Sequence, residues 1–241
     1  MQHILLTGAS GFVGRQIAKA LLEQGHRLTL VLRPGGADRL GLVLDPGRTT
    51  IIETGDVFAE RREWWADRLA GVDTVIHAAW YVEPGLYLDS PRNIACALGT
   101  IPLAEACIAM GVRQFIGLGT CFEYRLPNGA IDAAADVGPV TLYAAAKLAL
   151  CMLLRRRFAA SQTTFTWARL FYLHGEREHP ARLYPTLHRK LSGGEPMRLS
   201  SGDKLRDFLD VGRAGELIAA LAHSRQAGIV NICSGEAVTI R

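Results

Sequence analysis

The 241-residue chain has only five cysteines, and no two of them are spaced for a metal or a redox pair. Cys96, Cys107, Cys121, Cys151 and Cys233 sit mostly in apolar runs, which reads as reduced core residues and gives no metal site to predict. Long apolar runs are missing too. No stretch approaches membrane-spanning length, and Met1 leads straight into a strand with no signal peptide. The expectation is a soluble, cytoplasmic chain with no membrane partner. Charge of one sign is massed nowhere. The net charge of +4 comes from scattered Arg and Lys, with Arg61-Arg62 and Arg155-Arg156-Arg157 the densest runs. Each is short enough to be a solvated helix face, and without an aromatic-interleaved basic patch no nucleic-acid partner is expected. What remains, 49% hydrophobic and 21% charged residues, suits one large α/β domain with a full core, with or without a small appendage.

The glycines that are present carry information. His3 to Leu6 is a short apolar run, read as a buried strand. It feeds Thr7-Gly8-Ala9-Ser10-Gly11-Phe12-Val13-Gly14, and apolar residues then recur at helical spacing (Ile17, Leu21, Leu22). Strand, glycine turn and helix form the context a dinucleotide fingerprint needs. Gly8 allows the tight turn, Gly11 lets backbone approach a pyrophosphate, and Gly14 packs helix against strand. The free N–H groups at the helix start, around Ser10, Phe12 and Val13, then face the phosphates.

A second absence concerns the next strand, Leu28 to Leu32. An acid at its end would take the ribose hydroxyls of NAD. Arg33-Pro34-Gly35-Gly36 stands there instead, with no carboxylate before Asp38. Arg33 fits a 2′-phosphate, with Arg15 placed to assist, or is a loop cation. Residues 34–48 read as loop. A third strand from Ile51 ends at Asp56-Val57, where the Asp either accepts from an adenine amino group or caps the following helix. A helix over 60–69 packs Trp64-Trp65 on the sheet. A fourth strand, Asp73 to Ala79, closes on Ala78-Ala79, small enough for a cofactor to lie on the backbone. His77 within it reads as a structural hydrogen-bonding residue. A helix over 93–110, interrupted near Gly99 and Pro102, precedes a fifth strand over 112–118 and Thr120. A polar loop covers 125–140, and a sixth strand runs from Phe165 to Phe171. Such alternation predicts a doubly wound parallel sheet, with ligands at the carboxyl ends of its strands. Gly8, Arg33, Asp56, Ala79, Thr120 and Phe171 all fall there.

Leu142-Tyr143-Ala144-Ala145-Ala146-Lys147 puts a phenol and an amine one helical turn apart on one face. A free tyrosine titrates near pH ~10, and an adjacent ammonium lowers that value. The pair alone is common by chance; its neighbours give it meaning. Thr7-Gly8-x-x-Gly11-x-x-Gly14, Asp56, Ala78-Ala79, Thr120 and Tyr143-x-x-x-Lys147 together resemble the extended short-chain dehydrogenase/reductase superfamily of nucleotide-sugar epimerases, dehydratases and 4-ketoreductases. Arg169-Leu170-Phe171-Tyr172-Leu173-His174-Gly175 and Arg206-Asp207-Phe208 resemble two later motifs of that branch.

The resemblance implies a Rossmann domain over 1–171 and a small substrate-binding portion over 172–241, interleaved with the core. It implies that Tyr143 exchanges a proton with the sugar, that Lys147 holds the nicotinamide ribose and depresses the phenol, and that Thr120 binds the same substrate oxygen. Arg206 would meet a diphosphate or else pair with Asp207. Tyr172 stands where relatives have a substrate-contacting Asn. The acid and base that follow the threonine in dehydratases are replaced by Cys121 and Phe122, which disfavours dehydration. Relatives normally run on past Arg241, so the substrate portion is expected to be incomplete. The expected activity is an NADP-preferring reductase of a nucleotide-linked 4-keto-6-deoxy sugar, NAD being possible. The alternatives are an NAD-dependent epimerase and a non-catalytic dinucleotide-binding regulator. In the resembling family the helices at about 93–110 and 141–159 pair between subunits, which implies a homodimer.

Overall fold

Alternation along the strands decides which layer of helices each side chain meets. In the computed structural model, which describes residues 1–125, 131–196 and 202–239, β1 (His3–Thr7) sends Ile4 and Leu6 to one face and Leu5 to the other. The first face packs on α1 (Phe12–Glu23), through Ile17 and Leu21. The chain continues through β2 (Arg27–Leu32), α2 (Gly36–Leu40), β3 (Thr49–Glu53), α3 (Arg62–Ala66), β4 (Thr74–His77), α4 (Arg92–Ala109) and β5 (Gln114–Thr120). After a single 3-10 turn at Cys121–Glu123 come α5 (Leu142–Phe158), β6 (Thr164–Leu170), β7 (Tyr172–His174), α6 (Leu183–Ser192), β8 (Arg206–Asp210), α7 (Val211–Ser224), β9 (Gly228–Ile232) and β10 (Ala237–Val238).

Seven strands form one parallel sheet in the order β3-β2-β1-β4-β5-β6-β9. The order reverses beside β1, which pairs with β2 on one side and β4 on the other. Two apolar layers flank the sheet: one joins Ile4, Leu6, Ile76 and Ile116 to α1 and α7, the other joins Leu5, Val75 and Phe115 to α3, α4 and α5. The doubly wound parallel sheet expected from the alternation is the one found. A second sheet, β10-β8-β7, stands apart from it, while β9 returns the chain to the main sheet. Among the described residues no helix is long and apolar enough to cross a membrane.

Several boundaries differ from the expected ones, each for a local reason. The third strand stops at Glu53, and Asp56 lies in a turn where its carboxylate accepts from Phe58 N at 3.0 Å. β4 ends at His77, because Ala78 N and Ala79 N turn back onto Thr7. The stretch 34–48 contains α2, and only 62–66 of the helix expected over 60–69 is regular. β5 starts two residues later than expected and runs on to Thr120. α4 passes through Gly99 and Pro102 without a break. Gly99 is there for packing: a Cβ on it would collide with the Phe58 carbonyl. Gly215 does the same where α7 meets α1, 2.6 Å from Gln16 backbone if given a Cβ. Residues 126–130 of the expected polar loop, and Ile240 and Arg241 of the C-terminal stretch, lie outside the described residues.

Candidate active site

The glycine turn is built by steric necessity. Gly8 has φ +73°, and a Cβ on it would lie 2.6 Å from Ala79 N and 2.7 Å from Ala78 C. A Cβ on Gly14 would collide with the Gly8 carbonyl. Only glycine therefore lets the tips of β1 and β4 meet while α1 starts directly above them. Gly11 caps α1 with no side chain of its own, which leaves the first-turn N–H groups of Phe12 and Val13 without a side-chain cap. Such a helix start suits an anion, and a backbone cradle that a Cβ would fill has the form a dinucleotide pyrophosphate needs.

Around it the predicted residues separate into two groups. Ala78, Ala79 and Phe171 lie half-buried just past strand ends, near the reversal of the sheet or beside β5, and Val57 lies half-buried in the turn four residues after β3. Arg33 is exposed at the end of β2. Arg15 is not available to help it. Its guanidinium is buried, donating to Leu40 O at 2.7 Å, Gly41 O at 3.1 Å and Glu176 at 3.1 Å. Asp56 is exposed in its turn and capping it. On the neighbouring strand Glu53 pairs in register with Leu32 and accepts from Gly35 N at 3.1 Å.

His77 is structural. Thr100 Oγ1 donates to Cys96 O, so it accepts from His77 Nε2–H at 3.0 Å. His77 Nδ1 therefore accepts from Thr7 Oγ1 at 2.9 Å, and Thr7 Oγ1 accepts from Ala79 N. Burial pushes this imidazole down to about 3, so it stays neutral and ties β1, β4 and α4 together.

Tyr143 and Lys147 lie on the first two turns of α5. The helix starts there because the Thr141 hydroxyl caps Ala144 N at 3.2 Å, the loop 80–91 offers Leu88 O to Tyr143 N, and Arg155–Arg157 suit the helix C-terminus. The phenol packs between Tyr87, 4.9 Å away, and Trp80, 6.5 Å away, both edge-on. Burial pushes Tyr143 well above the ordinary phenol value, and the Tyr87 phenol adds to this. A hydrogen bond from Thr120 opposes them. Lys147 is only 4% exposed. Its ammonium donates to Leu118 O at 2.6 Å and lies 3.7 Å from the centre of the Trp80 ring. The expected lowering of the phenol by Lys147 is thus outweighed: the amine is turned to the β5 carbonyl and an indole face, and burial acts on both groups. It pushes Lys147 down to about 7, against an opposing pull from Glu123.

Glu123 is the residue the motif reading passed over. It is 0% exposed, and its carboxylate accepts from Thr120 N at 2.9 Å, Trp167 Nε1 at 3.1 and 3.2 Å and Arg169 Nε at 2.7 Å. Thr120-x-x-Glu123 is a capping-box pattern, a signal that was there to be read. Gly117 and Gly119 make room for it. A Cβ on Gly117 would lie 2.5 Å from the Trp167 ring, and one on Gly119 would lie 2.5 Å from Glu123 Oε1.

On the other side of Thr120, Phe122 and Tyr172 meet edge-on at 5.9 Å, and Arg206 lies 4.8 Å over the Tyr172 ring. Asp207 does not neutralise Arg206, since its carboxylate accepts from Ser234 N, Ser234 Oγ and Gly235 N. A cavity of about 150 Å³ opens here, lined by Tyr172, His174, Arg182, Tyr184 and Arg206. Glu178 in its wall has a side chain only 4% exposed, and its Oε2 has no hydrogen-bond partner. Cys121 is buried and pushed up to about 12, so it is no base at neutral pH. Among the described residues no cluster of potential metal ligands occurs.

Comparison with known proteins fits this geometry. The model of the NAD dependent epimerase/dehydratase family matches residues 4–233. A dTDP-6-deoxy-L-talose 4-dehydrogenase (NAD(+)) from Aggregatibacter actinomycetemcomitans is 26% identical, covering 99% of this chain and 87% of that protein. A dTDP-6-deoxy-L-talose 4-dehydrogenase (NAD(P)(+)) from Kitasatospora kifunensis is 28% identical, covering 99% and 76%. The solved structure of MoeE5 in complex with UDP-glucuronic acid and NAD is similar with a TM-score of 0.81 at 26% identity, covering 99% of this chain and 78% of that one.

The buried amine generates a testable pH dependence. With Lys147 held near 7 in the fold and near ~10.4 when unfolded, the unfolded chain binds the extra proton between those values. Stability therefore rises with pH across that window. The melting temperature of the native chain, measured relative to Lys147→Met, is expected to climb between about pH 7 and pH 9. A difference that does not change with pH would show that the amine keeps its proton in the fold.

Proposed function

The chain belongs to the NAD dependent epimerase/dehydratase family, the NAD(P)-dependent enzymes of the extended short-chain dehydrogenase/reductase type, and we propose that it reduces the 4-keto group of a nucleotide-linked 6-deoxy sugar. The observation that carries this reading is a Tyr143 phenol that burial keeps protonated and on which the Thr120 hydroxyl acts, with Thr120 at the end of β5, two strands from the glycine turn. A protonated phenol is what a ketone needs as hydride arrives, because the new alkoxide must be neutralised in the same step. Thr120 donates to the same oxygen. Lys147, with its amine beneath Trp80, holds the nicotinamide ribose. The dinucleotide, when bound, supplies the hydride; Gly8, Ser10, Gly11, Phe12, Val13 and Gly14 hold its pyrophosphate, and Asp56, Val57, Ala78, Ala79 and Phe171 border it. Arg206, unpaired with Asp207, takes the diphosphate of the sugar nucleotide beside Tyr172. Cys121 and Phe122 provide no acid–base pair for loss of water, which argues against dehydration.

The same reading includes NADP as the preferred cofactor, through Arg33, and a homodimer through α4 and α5. Ile94 and Leu98 on α4, and Met152 and Leu153 on α5, are exposed, Leu98 by 62% and Met152 by 61%. A bidentate ion pair, Glu105 with Arg157 at 2.6 and 2.7 Å, joins the two helices.

Three outcomes test these statements. Tyr143→Phe keeps the ring and removes the proton donor, so turnover of dTDP-6-deoxy-L-talose with its oxidised dinucleotide, followed by nicotinamide absorbance, should fall by roughly 10²–10⁴ with binding little changed. Unchanged turnover would remove Tyr143 from the chemistry, and tightly held NAD surviving purification would point to an epimerase. Arg33→Asp should lose about tenfold or more in NADPH affinity, the worth of a charge-assisted contact of roughly 1.5–3 kcal/mol, while NADH binding is retained. Equal NADPH and NADH affinities in the native chain would make Arg33 a loop cation. Met152→Asp/Leu153→Asp should convert a dimer to a monomer by light scattering, and a native chain that is already monomeric would sink the dimer.

A further inference from the structure

Glu123 lies beside the reacting groups, yet it cannot react. Both carboxylate oxygens are occupied by donors and no part of the residue reaches solvent. It therefore has no route to take up or deliver a proton in the cleft. Its partners run in a chain across the carboxyl ends of three strands. Arg169 on β6 donates to it at 2.7 Å and stacks 4.2 Å from the centre of the Tyr124 ring. Tyr124 donates to Asn231 Oδ1 on β9 at 2.7 Å, and Asn231 donates in turn to Ile131 O at 3.1 Å. In front, one oxygen accepts from the Thr120 backbone N–H, while the Thr120 hydroxyl oxygen accepts from Phe122 N at 3.3 Å. That second bond occupies a lone pair of the hydroxyl and leaves its proton to the groups in front of it, Tyr143 among them, whose phenol it draws down.

We propose that Glu123 is a positioning residue: its carboxylate, locked from behind by Arg169 and Trp167, holds the Thr120 amide and so aims the threonine hydroxyl at Tyr143. The inference rests on the reading of Thr120 and Tyr143 as the reacting pair. In Glu123→Gln the one remaining side-chain oxygen goes to the charged Arg169, since charge-assisted bonds are the stronger ones. The new NH₂ then faces the Thr120 N–H, donor against donor, and Thr120 is released. Adding Arg169→Gln reverses this: the amide oxygen at position 123 is free to turn back to Thr120, with its NH₂ toward the amide oxygen introduced at position 169.

The test incorporates 3-fluorotyrosine at position 143 and reads its fluorine resonance at a temperature well below unfolding, in the native chain, Thr120→Val, Glu123→Gln, the double variant of these two, and Glu123→Gln/Arg169→Gln. Glu123→Gln should move the resonance in the direction of Thr120→Val. The Thr120→Val/Glu123→Gln double should add nothing to Thr120→Val, and the Arg169→Gln addition should return the signal toward native. A resonance unmoved by Glu123→Gln, or one whose shift adds in full to that of Thr120→Val, overturns the proposal. Should Glu123→Gln alone fail to fold, the doubly neutral Glu123→Gln/Arg169→Gln decides: a native-like resonance supports the aiming role, and a Thr120→Val-like one overturns it. In parallel, kcat for dTDP-6-deoxy-L-talose oxidation should fall about tenfold in Glu123→Gln with KM unchanged, the signature of an interaction realised in the transition state. If that probe is not turned over by the native chain, the reading of the reaction fails, and the fluorine signals still decide the role of Glu123.

Discussion

The backbone of Gly8 lies so close to Ala78 and Ala79 that no other residue fits between them. That contact limits what can lie between the tips of β1 and β4, at the place where the sheet order reverses. α1 can start directly above the tip only because Gly14 also lacks a Cβ. The uncapped helix start, the small Ala78-Ala79 floor and the neutral His77 bridge between Thr7 and Thr100 all lie around this approach. Overpacking a tight interior typically costs about 1–3 kcal/mol and occasionally more. Here the atoms in the way are backbone, which cannot rotate aside.

A second constraint acts at the end of β5, where the chain buries charge. Glu123 is 0% and Arg169 1% exposed. A buried pair of this kind adds little net stability, yet removing one partner costs about 3–5 kcal/mol because the other is left uncompensated. Its benefit is specificity of geometry. Donors from Thr120, Trp167 and Arg169 converge on one carboxylate, so the 3-10 turn after Thr120 has a single arrangement, and Gly117 and Gly119 leave the space in which Trp167 and Glu123 lie. The rim of the sheet nearest the phenol is thus tied by buried hydrogen bonds, where Arg33 at the other end of the sheet is exposed.

The sheet, its helices and the glycine turn were legible because period, spacing and steric need all act over a few residues. Strand ends were less so: β3 stops at Glu53 and β4 at His77 because of hydrogen bonds made by Phe58, Ala78 and Ala79 that leave no mark on apolar patterning. Arg15 looked available to a phosphate, since nothing local foretells that Leu40, Gly41 and Glu176 converge on its guanidinium. Trp80 and Tyr87 stand in a stretch without periodicity and turn out to wall Tyr143. Glu123 escapes the motif reading for another reason. The two residues directly after Thr120 are the ones a dehydratase would use as acid and base, and the capping-box position lies one residue beyond them.

The electrostatics of Tyr143 and Lys147 depend on the same burial, and its sign matters. A solvated pair one turn apart would favour phenolate beside ammonium. Under Trp80 and beside Tyr87, desolvation penalises both charged forms, so the phenol rises and the amine falls to about 7. Neither group then holds its charge as readily as it would in water, and the phenol stays neutral beside the amine. A phenol in that state is a proton donor by default. It becomes a base only when its own charge is stabilised, and among the described residues the group that hydrogen-bonds it in that sense is Thr120. The direction in which the site moves a proton is therefore set less by the spacing of tyrosine and lysine than by how firmly Thr120 is held.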